Sequence, residues 1–261
     1  MAISSTPVYL STFLLEKNRW NGKGPSLLVS DWIEPIAEAG FRGVEVWGPH
    51  FFFASRSEWE TMREKSQEAD IPIVFLYSHL PLDKSDKSAR QRDSLIEAAD
   101  YFGVVGLKLL LADDAGAEEK LSFLEKWKSE VPRDLQIVRA FDERLPQPGE
   151  IDASRKRVGS SFRCSINPFA CKPDAAESFF REAGDLLVNL TVKARYEGRH
   201  AALRDAEEGA DIVSLMRRLD FKGSWTLEAT AGVGEPGEDI DLLFDEAEED
   251  LNFLLAALAR K

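Results

Sequence analysis

Gly43-Val44-Glu45-Val46-Trp47 is a short apolar strand that carries one carboxylate, and the chain repeats the device at Gly223-Ser224-Trp225-Thr226-Leu227-Glu228. An acidic side chain at the end of such a strand points into a mouth of the fold. It is expensive to desolvate there unless a cation meets it. In a chain that alternates strands with helices, carboxylates at strand ends mark the working face of a closed barrel.

The residues around these two strands supply the alternation. Trp32, Ile33, Ile36 and Ala37 recur at helical spacing over 26–39, Pro35 kinks that helix near its first turns, and Gly40 stops it. Before it lies a strand over 8–15, and after the Glu45 strand a loop holds Pro49, His50, Phe51, Phe52 and Phe53. The pattern then predicts a helix over 56–69, a strand over 71–78, a helix over 84–102 and a strand over 105–111. A helix over 116–131 stops at Pro132 and a strand follows over 135–141. The stretch 150–158 is polar and short, so the helix after the fifth strand is stunted. A strand over 162–166, a helix from Pro173 to 183, a strand over 186–193, a polar loop over 194–204 and a helix over 210–219 complete the run to the Glu228 strand. A last helix covers 240–259. Eight such units, with no linker-like break or low-complexity stretch, predict a single (β/α)8 barrel domain over 1–261, with parallel strands and its active mouth at their C-terminal ends.

Composition narrows the function. Lysine and arginine number 33 against 46 acidic residues, a formal charge of -13, which disfavours nucleic acid and anionic membrane as partners. A small anionic or polyhydroxylated ligand held by a few local cations is compatible with it. The stretch 1–8 lacks a basic-then-apolar signal pattern, and the longest apolar run, 104–112, is short and broken by Lys108. A cytoplasmic protein is expected. The two cysteines, Cys164 and Cys171, read as free thiols and form no zinc-type cluster. The acidic run 245–250 reads as a solvated helix face.

Four stretches together resemble the xylose-isomerase-like barrel family, the sugar phosphate isomerase/epimerase superfamily. They are 36–47, ending Gly43-Val44-Glu45-Val46-Trp47; Ile73-Val74-Phe75-Leu76-Tyr77-Ser78-His79; Gly209-Ala210-Asp211; and 221–228, ending on Glu228. The resemblance implies a divalent metal held after strands five to eight by glutamate, aspartate, histidine and glutamate. It also implies proton transfer on a sugar-like hydroxy-carbonyl compound. This chain departs at three of the four positions. Arg139 stands near the first, Asn167 at the second, and Thr191 or Asn189 at the third; Glu228 alone matches. One carboxylate with neutral groups does not hold a catalytic divalent ion, so no metal or other cofactor is expected.

A fixed positive group in place of the metal is the physical alternative. Arg139 would pair with Glu228, and Lys108 and Lys193 would add to the same centre. Strand alternation places Arg139 on the face of Leu135 and Ile137, which argues for the opposite direction. On this reading Glu228 or Glu45 is the base and His79 an orienting group. Arg139, Lys108, Lys193, Asn167, His50 and Trp47 contact the substrate. Trp47, Trp20 and Phe51 to Phe53 offer an apolar wall on which a sugar face stacks. His200 reads as a surface residue. A non-catalytic binding or regulatory barrel is the alternative function, and the exposed aromatic loops permit a homodimer.

Overall fold

Val8–Ser11 (β1) pairs in parallel with Val44–Trp47 (β2) on one side and with Ser224–Ala229 (β10) on the other, and this closes the sheet. Around the circle stand Ile73–Ser78 (β3), Gly106–Leu110 (β4), Gln136–Phe141 (β5), Phe162–Ile166 (β6) and Leu187–Lys193 (β7). The structure, a computed structural model, describes residues 6–20, 23–78, 85–110, 122, 124–132, 134–141, 145–146, 149–206 and 209–259. Among them no helix is long and apolar enough to cross a membrane.

Alternation sorts each strand's side chains. Val44 and Val46 on β2, Leu107 and Leu109 on β4, and Trp225 and Leu227 on β10 belong to the main apolar core shared with the surrounding helices. Their neighbours Glu45, Lys108, Thr226 and Glu228 face the barrel axis. Both acid-bearing strands are entered through a glycine that packing requires. A Cβ at Gly43 would stand 2.6 Å from the Val74 side chain, and one at Gly223 would collide with the Val188 carbonyl oxygen.

Most boundaries follow the periodicity, and the departures have local causes. Residues 12–15 leave the sheet as a one-turn helix, Thr12–Leu15, because the Thr12 hydroxyl takes the Trp47 backbone N–H at 2.9 Å where a ladder bond would otherwise form. The aromatic loop is a short helix, Gly48–Phe52, with Pro49 in its first turn. The short helix expected after the fifth strand is Glu150–Val158, nine residues long. The polar loop after β7 folds into a ribbon, Arg195–Tyr196 (β8) against Arg199–His200 (β9). Its turn residues Glu197 and Gly198 have φ of 49° and 82°, the left-handed pair that a tight hairpin needs.

One expectation about the last helix, Ile240–Ala259, is corrected. Asp250 is no part of a solvated face: it is buried, and its carboxylate accepts the Leu203 N–H at 2.7 Å and the Thr230 hydroxyl at 2.7 Å. It thereby ties the segment after β7 to the end of β10. Burial pushes its pKa from 3.8 up to about 6, against the two hydrogen bonds. The folded pKa lies above the ordinary one, so this contribution to stability is complete below about pH 3.8 and is lost as pH rises through about 6. Asp250→Ala is expected to cost about 2–3 kcal/mol in urea unfolding, because it strands two buried donors. Asp250→Asn removes the titration, so its stability relative to the wild-type chain should improve by up to about 3 kcal/mol between pH 4 and pH 8.

Candidate active site

Inward residues of β2, β4, β7 and β10 meet in a quartet of alternating charge. Lys108 Nζ lies 3.1 Å from Glu45 Oε2 and 3.7 Å from Glu228 Oε2, and it donates to Thr191 Oγ1 at 2.9 Å. Lys193 Nζ donates to Glu228 Oε1 at 3.2 Å. Glu45, Glu228 and Lys108 are fully buried, and Lys193 is 6% exposed, the member nearest solvent. The barrel register slips at each acid, between Val44 and Glu45 and between Leu227 and Ala229. Such irregularities re-aim a side chain at a strand end.

The carboxylates are held away from water, and the electrostatics follow. Burial lifts the Glu45 pKa to about 7; Lys108 pulls it back and Glu228 pushes it up further. A carboxyl group so poised exchanges a proton near neutrality, as acid–base catalysis requires. Beneath the quartet, Asn189 fixes a polar layer. It accepts from Ser165 Oγ at 2.9 Å and donates to Thr226 Oγ1 at 2.8 Å. The Thr191 and Asn189 positions, where the resemblance implied a histidine, thus support Lys108 and the floor of the site.

Aromatic rings stand beside the quartet. Phe13, Trp47 and Tyr77 form one buried cluster, with Lys193 Nζ 5.8 Å from the Phe13 ring centre and Lys108 Nζ 5.2 Å from that of Tyr77. Trp20 packs edge-on against Phe13 at 5.3 Å while remaining 63% exposed. Phe51 instead belongs to the core outside the barrel, Phe52 packs against that core, and Phe53 is exposed. Two buried ring nitrogens, Trp47 Nε1 and His200 Nδ1, have no hydrogen-bond partner among the described residues.

Arg139 is the main correction. Its register partners are Leu109 on β4 and Cys164 on β6, both in the outer core, so its side chain leaves the barrel axis. The guanidinium pairs with Glu150, donates to Ser154 Oγ at 2.9 Å and stacks 4.4 Å from the centre of the Phe141 ring. It fastens the helix Glu150–Val158 to β5, and the cations facing Glu228 are Lys108 and Lys193. The inward residues of β5 are Val138 and Ala140, which carry no charge.

His50 and Asn167 also hold structural positions. Hydrogen bonds from His50, Ser26 and Asn18 outweigh burial and keep Glu16 near pKa 2, so Glu16 only accepts. Burial lowers the His50 pKa against the pull of Glu16, and the ring is neutral. Its proton therefore sits on Nε2, 2.8 Å from Glu16, and Nδ1 accepts from the Thr12 hydroxyl at 2.7 Å. Neither nitrogen is left for a substrate. Asn167 accepts the Phe169 N–H at 3.1 Å and donates to the Lys193 carbonyl at 3.1 Å, so it anchors the strand that carries Lys193. His79 lies outside the described residues.

His200 departs from its surface reading. It is half-buried on β9, paired across the ribbon with Arg195, and the ribbon springs from Ala194 directly after Lys193. Burial, then Lys193 and Arg195, push its pKa down to about 4 against the pull of Glu228. The sequence signal was available in its distance from Lys193. What hid it was the ribbon, which turns the polar loop back on itself and leaves the ring half-buried.

Comparison with solved structures gives this architecture its relatives. A D-psicose 3-epimerase, solved in the presence of D-fructose, superposes with a TM-score of 0.73 at 14% identity, covering 97% of this chain and 100% of that one. The fold is that of the xylose-isomerase-like TIM barrels. A xylose isomerase-like TIM barrel protein from Mycobacterium smegmatis, in complex with magnesium, gives 0.67 at 14% identity, covering 99% and 100%. A 3-keto-D-glucoside 4-epimerase from E. coli in its apo form gives 0.66 at 11%, covering 96% and 99%. No protein-family profile matches the chain, and no curated protein matches it.

The metal implied by this fold does not fit the residues described. Among them no three histidine, cysteine, aspartate or glutamate side chains converge as a metal-holding group. The two carboxylates that do meet already face ammonium groups at 3.1–3.7 Å. A divalent ion placed between them would be repelled by both lysines.

Lys108→Met should leave two buried carboxylates facing one another and cost about 3–5 kcal/mol in chemical unfolding. With Lys108 gone the Glu45 pKa rises further, so the deficit should widen between pH 5 and pH 9. Adding Glu45→Gln to Lys108→Met should recover a large part of it in a double-mutant cycle.

Proposed function

We propose that this barrel moves a proton on a small hydroxy-carbonyl compound of the sugar class, without the divalent metal. One observation carries the reading: two buried carboxylates facing the barrel axis are each matched by a lysine ammonium. Glu45 or Glu228 accepts a proton from the carbon beside the carbonyl. Lys108 and Lys193 stabilise the oxyanion that develops as the C–H bond breaks. Trp47 Nε1 and His200 Nδ1 supply polar contacts for ligand hydroxyls, and the Phe13, Trp47 and Tyr77 rings give the sugar an apolar face. The epimerases among the solved neighbours share the fold, which raises the prior without fixing a substrate. A small ligand, not nucleic acid or a bilayer, suits a chain of charge -13. A cytoplasmic setting belongs to the same proposal and is supported by the two free cysteines.

The burial of Glu45, Glu228 and Lys108 favours a second reading, a barrel that binds such a ligand and performs no chemistry. The test is uptake of solvent deuterium at the carbon beside the carbonyl of dihydroxyacetone or D-fructose, followed by proton NMR. Exchange is expected, unchanged by EDTA and reduced about 10²–10⁴-fold in Glu45→Gln or Glu228→Gln. The acid limb of the wild-type rate should fall below about pH 7, where Glu45 becomes protonated. A ligand that raises the melting temperature but exchanges no deuterium selects the binding reading. Activity that EDTA removes and manganese restores overturns the metal-free one.

A further inference from the structure

The chemistry of the quartet extends beyond charge stabilisation. We infer that Lys193 is an amine nucleophile that forms an imine with the ligand's carbonyl carbon, with Glu228 carrying its protons. The inference rests on the carbonyl-ligand reading above and goes further, because it assigns a covalent intermediate.

Three features set Lys193 apart. It ends β7 at the mouth, and its side chain is 7% exposed against none for Lys108, so it is the lysine a ligand reaches first. Its Nζ is 3.2 Å from Glu228 Oε1, while the other oxygen of the same carboxylate faces Lys108 at 3.7 Å. Glu228 is thus a carboxylate shared by two cations and lies within reach of a proton on Lys193.

The third feature is His200. Its Nδ1 is buried without a hydrogen-bond partner among the described residues, and the ribbon that carries it begins at Arg195, two residues after Lys193. Burial and Lys193 keep the ring neutral near pH 7, so it offers a polar contact to a ligand hydroxyl beside the amine. The apolar Phe13 ring beside Lys193 keeps the amine poorly hydrated.

The step balances. The ammonium gives one proton to Glu228, and the free Nζ attacks the carbonyl carbon. A C–N bond forms, and the carbonyl π electrons pass to oxygen, which takes that proton back from Glu228. The nitrogen lone pair then expels that hydroxyl as water with a second amine proton. An ammonium and a carbonyl become an iminium and one water, with no oxidant or reductant. The iminium acidifies the adjacent C–H, and Glu45 is the carboxylate left to accept that proton.

The experiment is reductive trapping on the full chain. The protein is incubated with dihydroxyacetone, reduced with sodium borohydride and mapped by peptide mass spectrometry. Lys193 should gain one reduced triose on the order of tenfold faster than exposed Lys222. Lys193→Arg, which keeps the charge against Glu228 but cannot form an imine, should lose this label while retaining its circular dichroism spectrum. His200→Gln should slow labelling about tenfold at subsaturating dihydroxyacetone with the fold intact, through a lost ligand contact; an unchanged rate removes His200 from the site. Label confined to exposed lysines, or placed on Lys108, overturns the inference. Deuterium exchange without a Lys193 label overturns the imine and leaves the proton-transfer reading standing. A Lys193 label without exchange does the reverse.

Discussion

Lys108 sits wholly buried on the axis side of β4, with two carboxylates and a threonine hydroxyl around its ammonium. Three barrel strands, β2, β7 and β10, send a side chain to that one nitrogen. Burying any of these charges alone would cost several kcal/mol, and the cost is offset only when cation and anions arrive together. The mouth of the barrel therefore assembles as a unit. Thr191, Asn189 and Ser165 extend the same constraint downward, since each satisfies the polar groups of the layer above or beside it.

The loops around the mouth are fixed by buried polar contacts of the same kind. Arg19 donates to the carbonyls of Phe13 and Leu14 and pairs with Glu238 at 2.6 Å, which joins the first loop to the last. Glu16 collects the backbone N–H groups of Asn18 and Ser26 and the His50 ring. Asp250 ties the segment after β7 to the end of β10. Each is a charge-assisted bond from a protected position, and together they hold the loops that frame Lys193, Phe13 and Trp47. Preorganisation of this kind lets a site stabilise a developing charge without rearranging.

One solved structure of the same fold is in complex with magnesium. In this chain Lys108 lies between Glu45 and Glu228, and Lys193 faces Glu228. An ammonium differs from a divalent ion in more than charge. A lysine is monovalent, flexible and itself a nucleophile, whereas a divalent ion draws ligands into a fixed geometry. Burial, with Glu228 adding to it, lifts Glu45 to about 7 against the pull of Lys108, and the cations beside the carboxylates are amines.

The sequence alone determined the closed eight-stranded barrel, for a local reason. Alternation along Val44-Glu45-Val46 and helical spacing in 56–68 are properties of a few adjacent residues, and handedness does the rest. It also marked Glu45 and Glu228 as strand-end carboxylates that need partners, and offered Arg139, Lys108 and Lys193 as the cations. Which charges would meet was a question of register, and register is decided by pairing across strands. Arg139 and Lys108 look equivalent in sequence, yet β5 pairs Arg139 with Leu109 and turns it toward the helix Glu150–Val158, while Lys108 faces the axis. His200 and Asp250 read as surface residues because nothing near them in sequence covers them. A ribbon that turns back on itself and a helix packed against two loops do so in space. Only the tertiary structure could decide these cases, because burial is a property of neighbours that the chain brings together from far apart.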